Sequence, residues 1–175
     1  MPVQKLTRRT ILKRAAGTLA AAISGPTIVP SSVFGAEGRV SPNDRVRVGY
    51  IGVGRRSRQL MGLPEGAEIT AYADLYQKRL DEMKARNASA KTFLDYREML
   101  ASDSIDAVVI ATPDHWHTLP VVHACEAKKE VYIEKPMTLT VREGRAIVEA
   151  VKKHNVVLQT GSQQRSGSAC QRACK

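Results

Sequence analysis

The hydrophobic positions after residue 44 fall into short, nearly continuous runs separated by longer stretches with helical spacing. The runs are Val46–Ile51, Ile69–Ala73, Ala107–Ala111, Val131–Ile133 and Val156–Leu158, all rich in β-branched residues. Thr92-Phe93 adds a minor strand. Between the runs, Leu75, Leu80 and Met83 mark one helix and Tyr96, Met99 and Leu100 a shorter one. Leu119, Val122 and Ala127 mark the next, then Val141, Ile147, Val148 and Val151. Apolar runs that do not alternate with polar residues are strands covered on both faces. Their alternation with helices predicts an α/β fold built on a doubly wound parallel sheet. No internal repeat, low-complexity tract or heptad pattern competes with that reading.

In an open parallel sheet, ligands bind outside the carboxyl ends of the strands. The chemically distinctive residues all sit there. Gly52, Gly54 and Ser57 follow the first run, and Asp74 follows the second, twenty residues after Gly54. Thr112-Pro113-Asp114-His115-Trp116-His117 follows Ala107–Ala111, Glu134-Lys135-Pro136 follows Val131–Ile133, and Gln159–Gln164 follows the last. A strand emptying into G-x-G-x-x-S, with an acid at that distance, is the arrangement that holds a dinucleotide. Gly52 makes the tight turn, and Gly54 lets the backbone approach the pyrophosphate. Ser57 stands where a third glycine usually stands, small enough for close helix–strand packing. Asp74 is placed to accept hydrogen bonds from the adenosine ribose, which favours NAD over NADP, although Lys78 and Arg79 lie close by. Asp74 can also be read as a plain helix N-cap. Arg55, Arg56 and Arg58 either contact phosphate or form a solvated helix face.

Lys135 is the best candidate for proton transfer. Removing a hydride from an alcohol carbon requires a group that takes the hydroxyl proton. A lysine partly desolvated beside a cationic nicotinamide can have its pKa lowered toward that task. Glu134 is placed to orient its ammonium, and Pro136 to fix the local backbone. His117 either starts a helix or lies near the substrate, and Trp116 packs at the pocket rim. The spacing of His115, His117 and His123 does not put them on one helical face, so no metal site is predicted.

Charge changes the picture only at the N-terminus. The formal net charge is +10, and five of those charges are Lys5, Arg8, Arg9, Lys13 and Arg14, leaving +5 for residues 37–175. The remaining charges are mixed in sign, a poor footprint for nucleic acid. Thr7-Arg8-Arg9-Thr10-Ile11-Leu12-Lys13 is a twin-arginine pattern. The weakly apolar stretch Ala15–Val29 behind it is too short, and too broken by Gly17, Gly25 and Pro26, to span a membrane. Small residues near Gly35-Ala36 then complete an export signal, with an uncleaved amphipathic anchor as the alternative. The expected organisation is a twin-arginine leader over 1–36 and a linker over 37–43. A nucleotide-binding domain over 44–165 and a tail over 166–175 complete it. The expected location is the bacterial periplasm. Cys125, Cys170 and Cys174 make an odd count and no disulfide framework.

These residues together resemble the Gfo/Idh/MocA family, named after glucose–fructose oxidoreductase and inositol dehydrogenase. The matching pieces are Gly52-Val53-Gly54, Asp74, Ala111-Thr112-Pro113 with His117, and Glu134-Lys135-Pro136. Asp95–Leu100 and Gly161–Arg165 also look like family sequences, especially exported ones, so the resemblance covers about residues 44–172. It implies a Rossmann domain binding NAD or NADP, with Lys135 in the catalytic machinery and Thr112 and Pro113 near the nicotinamide end of the cofactor. It also implies a C-terminal α/β domain that lines the substrate site and makes a homo-oligomer. That domain is expected to be missing from a chain ending at Lys175.

Three functions follow. The first is an exported NAD(P)-dependent oxidoreductase acting on a sugar, cyclitol or polyol. The second is an NAD-dependent glycoside hydrolase of the same fold, and the third an inactive nucleotide-binding module.

Overall fold

A computed structural model describes residues 40–41, 44–163, 165 and 167–174. The leader expected at 1–36 lies outside the described residues. Residues from Val40 onward form one compact unit.

Six strands form one parallel sheet: β1 (Val46–Ile51), β2 (Ala67–Ala73), β3 (Lys91–Phe93), β4 (Ala107–Ile110), β5 (Glu130–Ile133) and β6 (Leu158–Thr160). Their spatial order is β3-β2-β1-β4-β5-β6. The chain winds outward from β1 to β3, crosses back, and winds outward again from β4 to β6. This is the Rossmann order, and it places a topological switch point between β1 and β4. Most strand ends fall within one or two residues of the apolar runs, and the last strand is shifted as a whole. Val156 is buried before the strand begins, while Leu158–Thr160 pairs with β5.

The helices are α1 (Arg55–Gln59), α2 (Gln77–Arg86), α3 (Tyr96–Leu100), α4 (Thr118–Glu126), α5 (Val141–His154) and α6 (Ser168–Ala173). A 3-10 turn, Asp114–Trp116, leads into α4. Local chemistry sets several boundaries. Asp95 accepts from the Arg97 N–H at the start of α3. At the start of α5, Thr140 and Glu143 form a reciprocal capping box, and Asn155 ends that helix in the left-handed region at φ 53°.

Two cores result. On one face, Met99 and Leu100 of α3, Val121, Ala124 and Cys125 of α4, and Ile147 and Ala150 of α5 pack on Ile51, Val108, Ile110, Val131 and Ile133. On the other, Leu80 and Met83 of α2 pack with Tyr50, Val53 and Tyr72. Cys125 is fully buried, and burial pushes its thiol above the ordinary range.

Several residues expected to mark core faces point outward instead. Leu75 is 84% exposed, Leu119 51% and Val141 86%. Leu75 precedes α2, Val141 opens α5, and Leu119 turns to the strand-end side of α4 while its neighbours Pro120 and Val121 are buried.

Candidate nucleotide-binding groove

The carboxyl ends of β1, β2 and β4 open into a groove of about 960 Å³, floored by Gly52, Gly54, Asp74 and Thr112. Of the large apolar side chains that stay exposed, Leu75, Tyr76, Leu94, Trp116 and Leu119 all line it. Such a concentration around one concavity suits a flat, largely apolar ring.

Gly52 has φ +81°, a conformation that costs glycine little. A Cβ there would also lie 3.0 Å from the Thr112 backbone N and Cγ2. Gly52 therefore lets the first and fourth strand-end loops meet. Gly54 is different. Its φ is −74°, and a Cβ there would find only Arg79 Nη1, at 3.9 Å. Protein packing does not demand glycine at 54, and the space it leaves faces the groove. Those are the conditions for close approach of a ligand's phosphates. Ser57 is fully buried in α1, as its small size allows, and its hydroxyl has no hydrogen-bond partner among the described residues.

Asp74 is held from two sides. Its Oδ2 accepts from the Val53 N–H and its Oδ1 from the Tyr76 N–H, both at 2.9 Å. The N-cap of α2 is Tyr76, so Asp74 lies two residues ahead of the cap position. It locks the glycine loop to the end of β2 and keeps its carboxylate at the groove edge. Arg79 Nη1 approaches the same Oδ2 at 3.5 Å. Of the three arginines after Gly54, two are already committed. Arg56 pairs with Glu134 and Arg58 with Glu82. Arg55 lines the groove and is exposed.

Thr112 and Pro113 line the groove on the β4 side. His117 sits beneath them, 2% exposed. Its Nε2 lies 2.9 Å from the Thr112 carbonyl oxygen and its Nδ1 2.6 Å from that of Pro136. The ring thus bridges the loop after β4 and the loop after β5. It is also the N-cap residue of α4.

Glu134 is buried, and its environment differs from the expected one. Its carboxylate accepts from Arg56 Nη2 at 2.7 Å, from the Tyr132 hydroxyl at 3.3 Å and from the Lys135 backbone N–H at 3.2 Å. It holds the backbone of Lys135, with Arg56 as its cation, rather than orienting the ammonium. Burial pushes the carboxyl up, but the Arg56 hydrogen bond and charge outweigh it, and the group sits below the ordinary carboxylate value. Lys135 itself is exposed, and its peptide to Pro136 is cis. The expected desolvation of Lys135 is not supplied by the described residues. Gly161 closes this cluster. A Cβ there would lie 2.6 Å from the Tyr132 hydroxyl and 2.8 Å from Glu134 Oε1.

Tyr132 and the Arg56–Glu134 pair escaped sequence reasoning as site elements, whereas Arg79 was already visible as a cation near Asp74. Arg56 works through a partner 78 residues away in sequence, and Tyr132 through a hydroxyl whose target the sequence does not show. The run Arg55-Arg56 was visible, but not which arginine turns inward.

Residues 46–162 match the model of an oxidoreductase family, NAD-binding Rossmann fold. The chain belongs to this Gfo/Idh/MocA family. A glycosyl hydrolase family 109 protein of Shewanella sp. (strain W3-18-1) is 35% identical over 170 residues, covering 83% of this chain and 37% of that protein. A myo-inositol 2-dehydrogenase of Thermotoga maritima is 31% identical over 123 residues, covering 69% and 37%. The crystal structure of scyllo-inositol dehydrogenase from Lactobacillus casei, with bound NAD(H) and scyllo-inositol, superimposes with a TM-score of 0.68 at 25% identity. It is covered to 39% by 74% of this chain. The chain thus spans under half the length of these relatives. What it shares with the Gfo/Idh/MocA family is the nucleotide-binding sheet and its strand-end loops.

Proposed function

We propose that this chain is the cofactor-binding part of an NAD(P)-dependent oxidoreductase that acts on a secondary alcohol of a sugar, cyclitol or polyol. One observation carries the reading. The groove floored by Gly52, Gly54 and Asp74 lies at the sheet's switch point, and Glu134 fixes the Lys135 backbone on a neighbouring strand-end loop. The bound nicotinamide would supply a hydride acceptor. Gly52 and Gly54 would admit the pyrophosphate, Asp74 would accept from the ribose hydroxyls, and Thr112 and Pro113 would flank the nicotinamide end. Lys135, on a backbone pinned by Glu134, would take the substrate's hydroxyl proton. His117 would act as a positioning residue, because its ring is buried between two carbonyls.

The single tryptophan, Trp116, lines the groove and reports binding directly. NADH should quench its fluorescence saturably. No response to NADH or NADPH, or unchanged turnover of the whole protein after Lys135→Ala, would overturn the reading.

The similarity to a glycosyl hydrolase family 109 protein supports a second reading, an NAD-dependent glycosidase on the same site. Net NADH formation indicates the dehydrogenase. Glycoside cleavage without net NADH indicates the hydrolase. The twin-arginine pattern Arg8-Arg9 supports export to the periplasm, which cell fractionation of an Arg8→Lys/Arg9→Lys variant tests.

A further inference from the structure

One side chain ties the glycine loop to the loop that carries Lys135, and a glycine fingerprint does not require it. Arg56 lies two residues after Gly54, in the first turn of α1, and lines the groove. Its Nη2 reaches Glu134 Oε1 at 2.7 Å, and its Nη1 reaches Gln59 Oε1 at 2.9 Å. Its Nε is buried with no hydrogen-bond partner among the described residues. A surface arginine satisfies that donor with water. The place of this guanidinium is therefore set by Glu134 and Gln59, not by solvent. The neighbouring arginines differ. Arg58 pairs with Glu82 of α2, and Arg55 is exposed.

The contacts run without a break from the groove floor to Lys135. Asp74 Oδ2 accepts from the Val53 N–H, which fixes one end of the glycine loop. The Arg58 N–H donates to the Gly54 carbonyl at 3.3 Å and closes the turn that contains Arg56. Arg56 holds Glu134, and Glu134 Oε2 accepts from the Lys135 N–H at 3.2 Å. The Glu134 side chain is 4% exposed, and a Cβ at Gly161 would lie 2.8 Å from its Oε1. A carboxylate so confined passes a restraint on Arg56 to the Lys135 backbone instead of absorbing it.

We propose that Arg56 is a positioning residue that couples nucleotide contact at the glycine loop to the order of the Lys135 loop. The proposal rests on the nucleotide-binding reading above. A nucleotide packed against Gly52 and Gly54 stills the first turn of α1. Arg56 then stills Glu134, and the Lys135 backbone is held for proton transfer once the cofactor is in place. Arg56 touches neither substrate nor the reacting atoms in this scheme. It acts through Glu134.

Amide hydrogen exchange of the full chain, followed by NMR with and without a saturating reduced nucleotide, NADH or NADPH, tests this. In wild type the nucleotide should slow exchange at Val53 and Gly54 and, by about tenfold or more, at Lys135. Arg56→Met combined with Glu134→Gln breaks the tie without stranding a buried charge. In that double variant the nucleotide should still slow exchange at the glycine loop. Its affinity should stay within about threefold of wild type, because the open form of the Lys135 loop is a minor one. The effect at Lys135 should fall below about twofold. Arg56→Lys, which keeps a cation beside Glu134, should retain part of the effect, and thermal melting should show each variant folded.

A merely structural role predicts faster exchange with and without nucleotide, and an unchanged nucleotide effect at Lys135. That result in the double variant, or in wild type a bound nucleotide with no effect at Lys135, would overturn the proposal and leave the nucleotide-binding reading intact. Failure of wild type to bind either nucleotide would overturn both.

Discussion

Arg56 donates from Nη2 to Glu134 Oε1 across 2.7 Å, joining the helix after the glycine loop to the loop that carries Lys135. The carboxylate is almost wholly buried, with 4% of its side chain exposed, and the guanidinium is 29% exposed. The Tyr132 hydroxyl and the Lys135 amide also donate to it. Two loops from non-neighbouring strands are thereby tied through one carboxylate, and several predictions rest on that tie.

Removing the cation strands a buried charge. Arg56→Met should destabilise the chain by about 3 kcal/mol, the cost typical of breaking such a pair. Combining it with Glu134→Gln should cost clearly less than the sum of the two single changes. Urea denaturation of the three variants measures both. A cost for Arg56→Met near zero would show that the pair is not formed in solution.

The same pair sets a pH dependence. Glu134 is held below its ordinary value of 4.5, so it binds protons more weakly folded than unfolded. Its stabilising contribution is complete above that value and is lost as pH falls through the lower folded pKa. Asp95, held to about 2 by the Arg97 hydrogen bond, and Asp106, lowered by its hydrogen bond to Arg47, add acid sensitivity of the same sign. The melting temperature should be flat with respect to these groups between pH 7 and 5 and fall below. The fall should be shallower in Glu134→Gln. Identical slopes for wild type and variant would remove Glu134 from the account.

Three glycines should respond differently to alanine. Gly161→Ala drives a Cβ into the Tyr132 hydroxyl and Glu134 carboxylate and should cost about 1–3 kcal/mol. Gly52→Ala combines a positive φ with contact against Thr112 and should cost a similar amount. Gly54→Ala has room and an ordinary φ, so its melting temperature should match wild type. It should lose the stabilisation that saturating NAD⁺ confers, about 2.7 kcal/mol at a hundred times Kd in wild type. Thermal melts with and without NAD⁺ separate these cases.

His117 holds two loops together from inside. His117→Phe keeps much of the volume but leaves the carbonyls of Thr112 and Pro136 without their ring partner. It should destabilise by about 1–3 kcal/mol. Hydrogen exchange should quicken in both loops, at 112–117 and 134–138, rather than in one. Protection unchanged in either loop would show that the ring does not bridge them.

Much of this fold is legible in the residues. Val48–Ile51 and Val108–Ile110 lie at the sheet centre, buried from both sides, so they carry no charge and read as strands without alternation, while Arg47 falls near the open start of β1. The glycine loop is legible because the turn at Gly52 needs a positive φ and Gly54 leaves its side-chain space open to the groove. Leu75, Leu119 and Val141 misled because an apolar residue near a helix start carries the same signal whether it faces the core, the groove or solvent. Tyr132 gave no signal at all, since its importance is a hydroxyl aimed at a carboxylate two residues on.

What the amino-acid order determined by itself is the alternation of buried strands with helices, and the collection of Gly52, Gly54, Asp74, Thr112 and Lys135 at strand ends. Those follow from local physics: burial, backbone conformation and the spacing that winding imposes. Only the tertiary structure decided which partner each charge takes. Glu134 meets Arg56, not the Lys135 ammonium, because the β1–β4–β5 order brings α1 over the end of β5. His117 is a bridge because two loops far apart in sequence converge on it. Electrostatic partnership depends on distance in space, and spatial proximity between separate strand ends is set by the sheet as a whole.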